Sequence, residues 1–463
     1  MNADEFYVRR AGILLHPTSL PSGVLDADAD RWLEMLSAAG FGVWQVLPLG
    51  EPQSGLSPYQ CISAFAINPA LLNNYPAAEY STEKFRTFCA TNHWLKDYAT
   101  FKLLHQRFDN APWFNWPDKF RFRDQDALDL FRREHAQEFL HLLWQQFVLH
   151  NRWLQLKQHA NNSGILLFGD MPLFVAHDSV DVWANPDQFL LDENGMPSFV
   201  AGVPPDYYSA TGQRWGNPHY NWEVMQASGF AWWHQRMQNH LDMFDLVRID
   251  HFRGLEAAWM VNASCETAED GHWEKMPGAA LLEALLKDLG HLPIVAEDLG
   301  IITPEVTALR KQFHLPGMSV LQFGFDAHED NPHKPQNIET DRVVYTGTHD
   351  NDTTRGWFES MASHEQQHVL HTLGIDAQQT SSATLSDVSG QVLAKLVEHA
   401  MNSRASLCMI PWQDVLQLDG SARMNTPGTI DGNWQWSFQW KQLDNHVIET
   451  IRHQLEQAGR LAN

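Results

Sequence analysis

The sequence predicts an α/β chain built as a (β/α)8 TIM barrel. Eight short aliphatic or β-branched runs recur along its 463 residues, each followed at once by polar or turn-forming residues. Helix-like stretches lie between them, so strand and helix alternate along the chain. Continuous apolar runs of this length suit parallel strands buried on both faces, and eight of them wrapped by helices close into a barrel.

The first run, Gly12–Leu15, leads into a helical stretch at Trp32–Ala39, and the second is Val43–Leu47. More than a hundred residues separate it from the third, Ile165–Phe168, a gap that includes the long amphipathic stretch Phe131–His159. About 75 residues then precede the fourth run, Leu246–Ile249. Such gaps are too long for simple βα connections, so 51–130 and 171–229 are expected to be insertions on one catalytic domain spanning 1–463, with a smaller one at about 255–277. The remaining runs are Ile294–Ala296, Ser319–Leu321, Val343–Tyr345 and Leu407–Ile410, with helical stretches at Ala279–Leu289, Pro304–Phe313 and Val388–Met401. Insertions that follow barrel strands lie at the C-terminal face, where active sites are assembled.

Composition narrows the function classes. Hydrophobic residues make up 44% and charged residues 19%, enough apolar content for a large core and too much for disorder. Lys and Arg total 32 against 56 Asp and Glu, a formal charge of −24 that repels phosphate backbones and anionic lipid. Nucleic acid and membrane are therefore not expected partners. No run approaches the roughly 18 apolar residues that span a bilayer, and the first ten residues lack the apolar stretch of a secretory signal. Four scattered cysteines without a CxxC pair fit reduced thiols, so a cytoplasmic enzyme is expected. The chain carries 19 Trp; many will be core, and some could stack on flat ligand faces such as sugar rings.

Carboxylates stand at the ends of four runs: Asp170, Asp250, Glu297 and Asp350. One Asp at a strand end is equally well explained by capping, but four converging on one mouth are not. Arg248 and Asp250 are two apart and share a strand face, so the guanidinium is expected to keep Asp250 ionised, as a nucleophile requires. Glu297 follows the apolar Ile-Val-Ala, a setting that raises a carboxyl's pKa and suits a general acid. His349, beside Asp350, could hydrogen-bond a substrate hydroxyl. One ionised and one protonated carboxyl are the equipment for breaking a glycosidic bond.

From about residue 11 to 440 the chain resembles the 4-α-glucanotransferases, or amylomaltases, of glycoside hydrolase family 77. The resemblance is carried by His-Pro-Thr-Ser-Leu-Pro (16–21), Trp-Gln-Val-Leu-Pro-Leu-Gly (44–50), Ser-Pro-Tyr-Gln (57–60), Gly-Asp-Met-Pro (169–172) and the loop 202–218. Arg-Ile-Asp-His-Phe-Arg-Gly (248–254), Ala-Glu-Asp-Leu-Gly (296–300), Gly-Thr-His-Asp-Asn (347–351), Arg-Met-Asn-Thr-Pro-Gly (423–428) and Gly-Asn-Trp (432–434) complete it. It implies a barrel with insertions, no separate C-terminal β-domain and no cofactor or metal. It also implies a retaining transfer between maltooligosaccharides and other α-1,4-glucans. Asp250 matches the nucleophile, Glu297 the acid/base and Asp350 the transition-state stabiliser. Tyr59, Asp170, Trp215, Arg248, His349 and Asn425 match positions that hold glucan, and the loop with Asp206, Tyr207, Tyr208 and Gln213 resembles a lid over the substrate. Retention implies Asp250 and Glu297 carboxyls about 5–5.5 Å apart. An α-glucan hydrolase on the same scaffold and a non-catalytic glucan-binding protein stay open as alternatives. Oligomeric state is not legible.

One motif competes. His364-Glu365-Gln366-Gln367-His368 fits the HExxH zinc pattern, but it is short, the chain has 24 His, and polar flanks suit a solvated helix face. The aromatic stretch Trp434, Trp436, Trp440 alternates partly like a strand; Trp434 is expected near substrate and the others against the barrel. Departures from the family pattern are the short segment 22–28, Leu56 where Asn is usual, and Met260 and Asn262, all outside the three catalytic positions.

Overall fold

The computed structural model describes residues 6, 8–205, 209–376, 384–429 and 431–462. Eight parallel strands form its central sheet: Arg10–Leu14, Val43–Gln45, Leu166–Pro172, Leu246–Asp250, Ile294–Ala296, Gly317–Val320, Arg342–Tyr345 and Leu407–Pro411. Each pairs with its sequence neighbour, and the eighth pairs with the first. The ladder is open only between the fifth and sixth strands, where Ala296 N–H donates to the Pro316 carbonyl at 2.8 Å. The expected runs match these strands, with the sixth beginning two residues earlier, at Gly317, and the third running on past Asp170.

The side chains inside the barrel follow from the two-residue period of a strand. Val43, Phe168, Leu246, Val295, Met318, Val320, Val343, Leu407 and Met409 form one buried cluster, to which Phe6 adds its ring. Two residues further along the third and fourth strands, the same face presents Asp170 and Arg248, partners in register. The barrel thus changes from apolar to charged within one step along the strand.

Helices surround the sheet. Ala27–Ala39 starts at Asp26, whose side chain accepts from Asp28 N–H, and ends at Gly40 in the left-handed region (φ 88°). Its Trp32 is fully buried, edge-on to Trp412 at 4.8 Å, so this tryptophan is core. The expected helix at Phe131–His159 is two helices, Gln125–Glu134 and Ala136–Asn162, parted at His135, where ψ turns to 33°. Ala231–Met243, Gly278–Leu289, Pro304–Gln312 and Leu385–Asn402 follow later strands, and Asn445–Gln457 packs against Ala27–Ala39. Between the sixth and seventh strands only two short 3-10 turns, Leu321–Phe323 and Pro335–Asn337, stand where a barrel helix would. A cavity of about 230 Å³, lined by residues such as Phe325, Lys334 and His399, lies on that flank and contains none of the expected site residues.

A second sheet, four-stranded and antiparallel, has the order Gln213–Pro218, Phe199–Val203, Ala257–Asn262, Gly271–Lys275. It joins segments from on either side of the fourth barrel strand. Met260 is buried within it and Asn262 is exposed at its end. Among the described residues no helix is long and apolar enough to cross a membrane.

Candidate active site

Four barrel strands and one loop deliver the charged cluster. Asp170 and Arg248 sit side by side on the third and fourth strands, both buried, with Arg248 Nη1 donating to Asp170 Oδ2 at 2.5 Å. Two residues on, Asp250 ends the fourth strand, and Arg248 Nη2 donates to its Oδ1 at 2.7 Å. One guanidinium therefore bridges two carboxylates, a use of its fork that a lysine ammonium would not match. Tyr59, from the loop after the second strand, donates its hydroxyl to Asp170 Oδ2 at 2.6 Å. Its oxygen lies 2.9 Å from His349 Nε2 and 3.3 Å from Arg248 Nη1. Because the single Tyr59 proton is spent on Asp170, His349 must donate from Nε2, which sets its tautomer. Asp170 Oδ1 is buried without a protein partner.

Glu297 directly follows the fifth strand, with its backbone N–H donating to the Ile249 carbonyl at 3.1 Å. Its carboxyl accepts from two main-chain groups, His251 N–H at 2.7 Å and Leu299 N–H at 2.9 Å. His251 adopts φ 55°, a left-handed conformation unusual for a residue with a Cβ. That turn after Asp250 aims the His251 N–H at Glu297 and ties the two acids to one bend of chain. Trp215 stands perpendicular to the His251 ring at 4.8 Å, and its indole N–H donates to Gln213 at 3.2 Å.

Asp350 enters from the loop after the seventh strand and is the most open of the acids, with its side chain 46% exposed. Asn425 Nδ2 donates to its Oδ1 at 2.6 Å, and Arg423 Nη2 donates to its backbone carbonyl at 2.7 Å. Tyr59, His349 and Trp434 form an aromatic group, with Trp434 6.1 Å from Tyr59 and 5.9 Å from His349. Of the expected site residues, the structure brings together Tyr59, Asp170, Arg248, Asp250, His349 and, through Asn425, Asp350. Glu297, Trp215 and Gln213 join them through His251. Asp206, with Tyr207 and Tyr208, lies outside the described residues.

The electrostatics are more crowded than the sequence suggests. Burial pushes Asp250 up to about 8, with Arg248 pulling down and Asp170, Glu297 and Asp350 adding to the rise. Glu297 is likewise raised, chiefly by burial. The expectation that Arg248 keeps Asp250 ionised is thus met in geometry but not in balance. The reason is burial first, and then that the guanidinium is shared with Asp170 while carboxyls outnumber it. Asp250 and Glu297 therefore titrate as a pair that retains a proton near neutrality. Burial lowers His349, and burial drops His16, which faces it, to about 3, so both imidazoles are neutral.

Sequence reasoning assigned no role to His16, His251 or Arg423, although each stands in a motif it singled out; only neighbours in space show what they touch. The HExxH segment lies on Ser363–Thr372, where Glu365 accepts from Ala362 N–H and His368 Nε2 lies 2.9 Å from the Phe325 carbonyl. Among the described residues no three His, Cys, Asp or Glu side chains are grouped to hold a metal ion. Trp434 to Trp436 is not a strand. Trp440 donates to Asp28 and stacks under Arg31, against the first barrel helix.

The chain matches the family model for 4-alpha-glucanotransferases, Glyco_hydro_77, over residues 15–79 and 73–443. It is 42% identical to a 4-alpha-glucanotransferase of Synechocystis sp., with 98% of each protein covered. It is also 42% identical to one of Thermus thermophilus, with 98% of this chain and 99% of that protein covered. In structure it is similar to the amylomaltase of Streptococcus agalactiae in complex with acarbose, at TM-score 0.91 and 29% identity, covering 98% of this chain and all of that one.

Proposed function

The chain belongs to the 4-alpha-glucanotransferase family, glycoside hydrolase family 77, and from that premise we propose that it moves α-1,4-glucan segments between maltooligosaccharides, with Asp250 as nucleophile, Glu297 as acid/base and Asp350 as stabiliser. The observation that carries the reading is the bend at His251, which joins an ion-paired Asp250 to a main-chain-anchored Glu297 in one raised-pKa pair.

The pair's proton is assigned to Glu297 by its role as the acid, with Asp250, the partner that touches a cation, as the carboxylate. Glu297 gives that proton to the glycosidic oxygen as the Asp250 carboxylate attacks the anomeric carbon. The leaving glucan departs with its hydroxyl restored, and a β-linked glucosyl-enzyme remains. Glu297, now a base, removes the proton from the 4-hydroxyl of an acceptor glucan. That oxygen displaces Asp250 and restores the α-configuration. This chemistry asks for the two carboxyls about 5–5.5 Å apart. Asp350, held by Asn425 and partly open, is suited to hydroxyls whose bonds strengthen as the ring flattens. Asp170 Oδ1, Tyr59, Arg248 and His349 offer a rigid set of hydrogen-bonding groups for the same sugar. Trp215 and Gln213 stand on the side of the small sheet, and Asp206 is assigned to the lid by resemblance. The complex of the Streptococcus agalactiae amylomaltase with acarbose supports this choice of substrate class. The chain's acidity supports an enzyme that binds neither nucleic acid nor membrane, and its free cysteines support a cytoplasmic one.

The test is incubation with pure maltotriose. Glucose and a ladder of longer oligosaccharides at constant reducing ends are expected. Rising reducing ends without longer products would make the chain a hydrolase, and binding without products would make it a glucan-binding protein.

A further inference from the structure

The residue after Glu297 has a task of its own. Where the barrel ladder is open between the fifth and sixth strands, Asp298 is buried and its Oδ1 accepts from Met318 N–H at 2.7 Å. A side chain here takes a main-chain donor that a neighbouring strand's carbonyl would take elsewhere in the barrel. Arg342 Nη1, from the start of the seventh strand, donates to both Asp298 oxygens at 2.8 Å and to the Met318 carbonyl at 2.9 Å. Arg310 Nε stands 3.3 Å from Oδ2, while its Nη1 donates to Asp341 at 2.9 Å. Gly317 leaves the room: a Cβ there would lie 2.5 Å from Asp298 Oδ2 and from Arg342 Nη1.

On its other side, the same short segment is tied to the fourth strand. Glu297 N–H donates to Ile249, and the Glu297 carbonyl accepts from Phe252 at 3.2 Å. The Leu299 N–H that grips the Glu297 carboxyl comes one residue after Asp298. Moving Asp298 would therefore move that grip.

We propose that Asp298 is a positioning residue for Glu297: its carboxylate closes the barrel seam and thereby holds the acid/base against Asp250. The proposal rests on the reading of Glu297 as acid/base. A positioning role predicts a defect that depends on whether the leaving group needs a proton. Displacement of about 1 Å can cost on the order of 100-fold in a reaction step.

The experiment compares wild type, Asp298→Asn, Arg342→Lys and Glu297→Ala on two donors. Maltotriose requires proton donation to its leaving oxygen; α-maltotriosyl fluoride, with azide as acceptor, requires neither acid nor base. Asp298→Asn is expected to lower kcat on maltotriose about 10- to 100-fold with KM within about threefold, and fluoride release with azide within about threefold of wild type. Arg342→Lys keeps the charge but, with a side chain one bond shorter, draws the donor back from the Asp298 carboxylate. It is expected to show the same split more mildly, and it carries the test if Asp298→Asn does not fold. Equal losses on both donors, or no loss on either, overturn the positioning role. Absence of the split in Glu297→Ala would instead overturn the acid/base reading on which it rests.

Discussion

Replacing Arg248 by lysine keeps a positive charge but removes the fork. In the native site, Nη1 serves Asp170 at 2.5 Å and Nη2 serves Asp250 at 2.7 Å. A single ammonium must choose. Asp170's side chain is completely buried whereas Asp250's is 29% exposed, so an uncompensated charge costs more at Asp170 and the ammonium goes there. If the cation's distance from Asp250 grows from 2.7 Å to about 5 Å, the attraction at an effective dielectric of about 20 weakens by about 3 kcal/mol. That is equivalent to about 2 pH units on the titration of Asp250. Arg248 pulls Asp250 and Glu297 down alike, so both rise when it is weakened. The assay is the pH dependence of kcat/KM for maltotriose disproportionation. Wild-type activity is expected to fall on the alkaline side, as the raised pair loses its shared proton. Arg248→Lys is expected to shift the limb set by Asp250 upward by about 2 units, to move the other limb in the same direction, and to lose about 100-fold on the acid side. A bell that stays in place while its height falls uniformly would refute the claim that Arg248 sets the ionisation of Asp250.

Other substitutions probe separate parts of the molecule. Asp250→Asn removes the attacking oxygen while preserving its shape, and transfer should drop by at least about 10,000-fold, measured as product from maltotriose in a preparation free of contaminating glucosidase. Leu56 holds φ 58° and is 46% exposed, and a left-handed leucine costs about 1–2 kcal/mol. Leu56→Asn, which accepts that conformation, should raise the melting temperature by about 1–2 °C with activity within about twofold; a lower melting temperature would show that the leucine packs in a way its exposure conceals. Protein purified without a histidine tag should contain no stoichiometric zinc by elemental analysis, and chelator should leave transfer unchanged; stoichiometric metal would reopen the HExxH segment.

The sequence by itself determined the barrel strands and the family. Runs such as Leu246–Ile249 read as buried strands because their apolarity is local and continuous, and Arg248 with Asp250 reads as a shared face because a strand repeats every two residues. The motifs around Asp250, Glu297 and Asp350 pointed to the family for the same reason: each is a contiguous string. What only the tertiary structure decided depends on residues far apart in the chain. Tyr59, Asp170 and His349 meet although 290 positions separate the first from the last. No periodicity encodes that the Tyr59 proton goes to Asp170 and thereby orients His349. The charge balance was equally hidden, since Asp250's rise comes from burial and from carboxyls on other strands. The small sheet formed by Phe199–Val203 with Ala257–Asn262 was missed because its strands come from two separate segments, and the helix break at His135 because a single residue's backbone angle leaves the amphipathic pattern intact. Local periodicity and motif survive in one dimension. Which charge faces which, and who shares a proton, are settled only when the barrel closes.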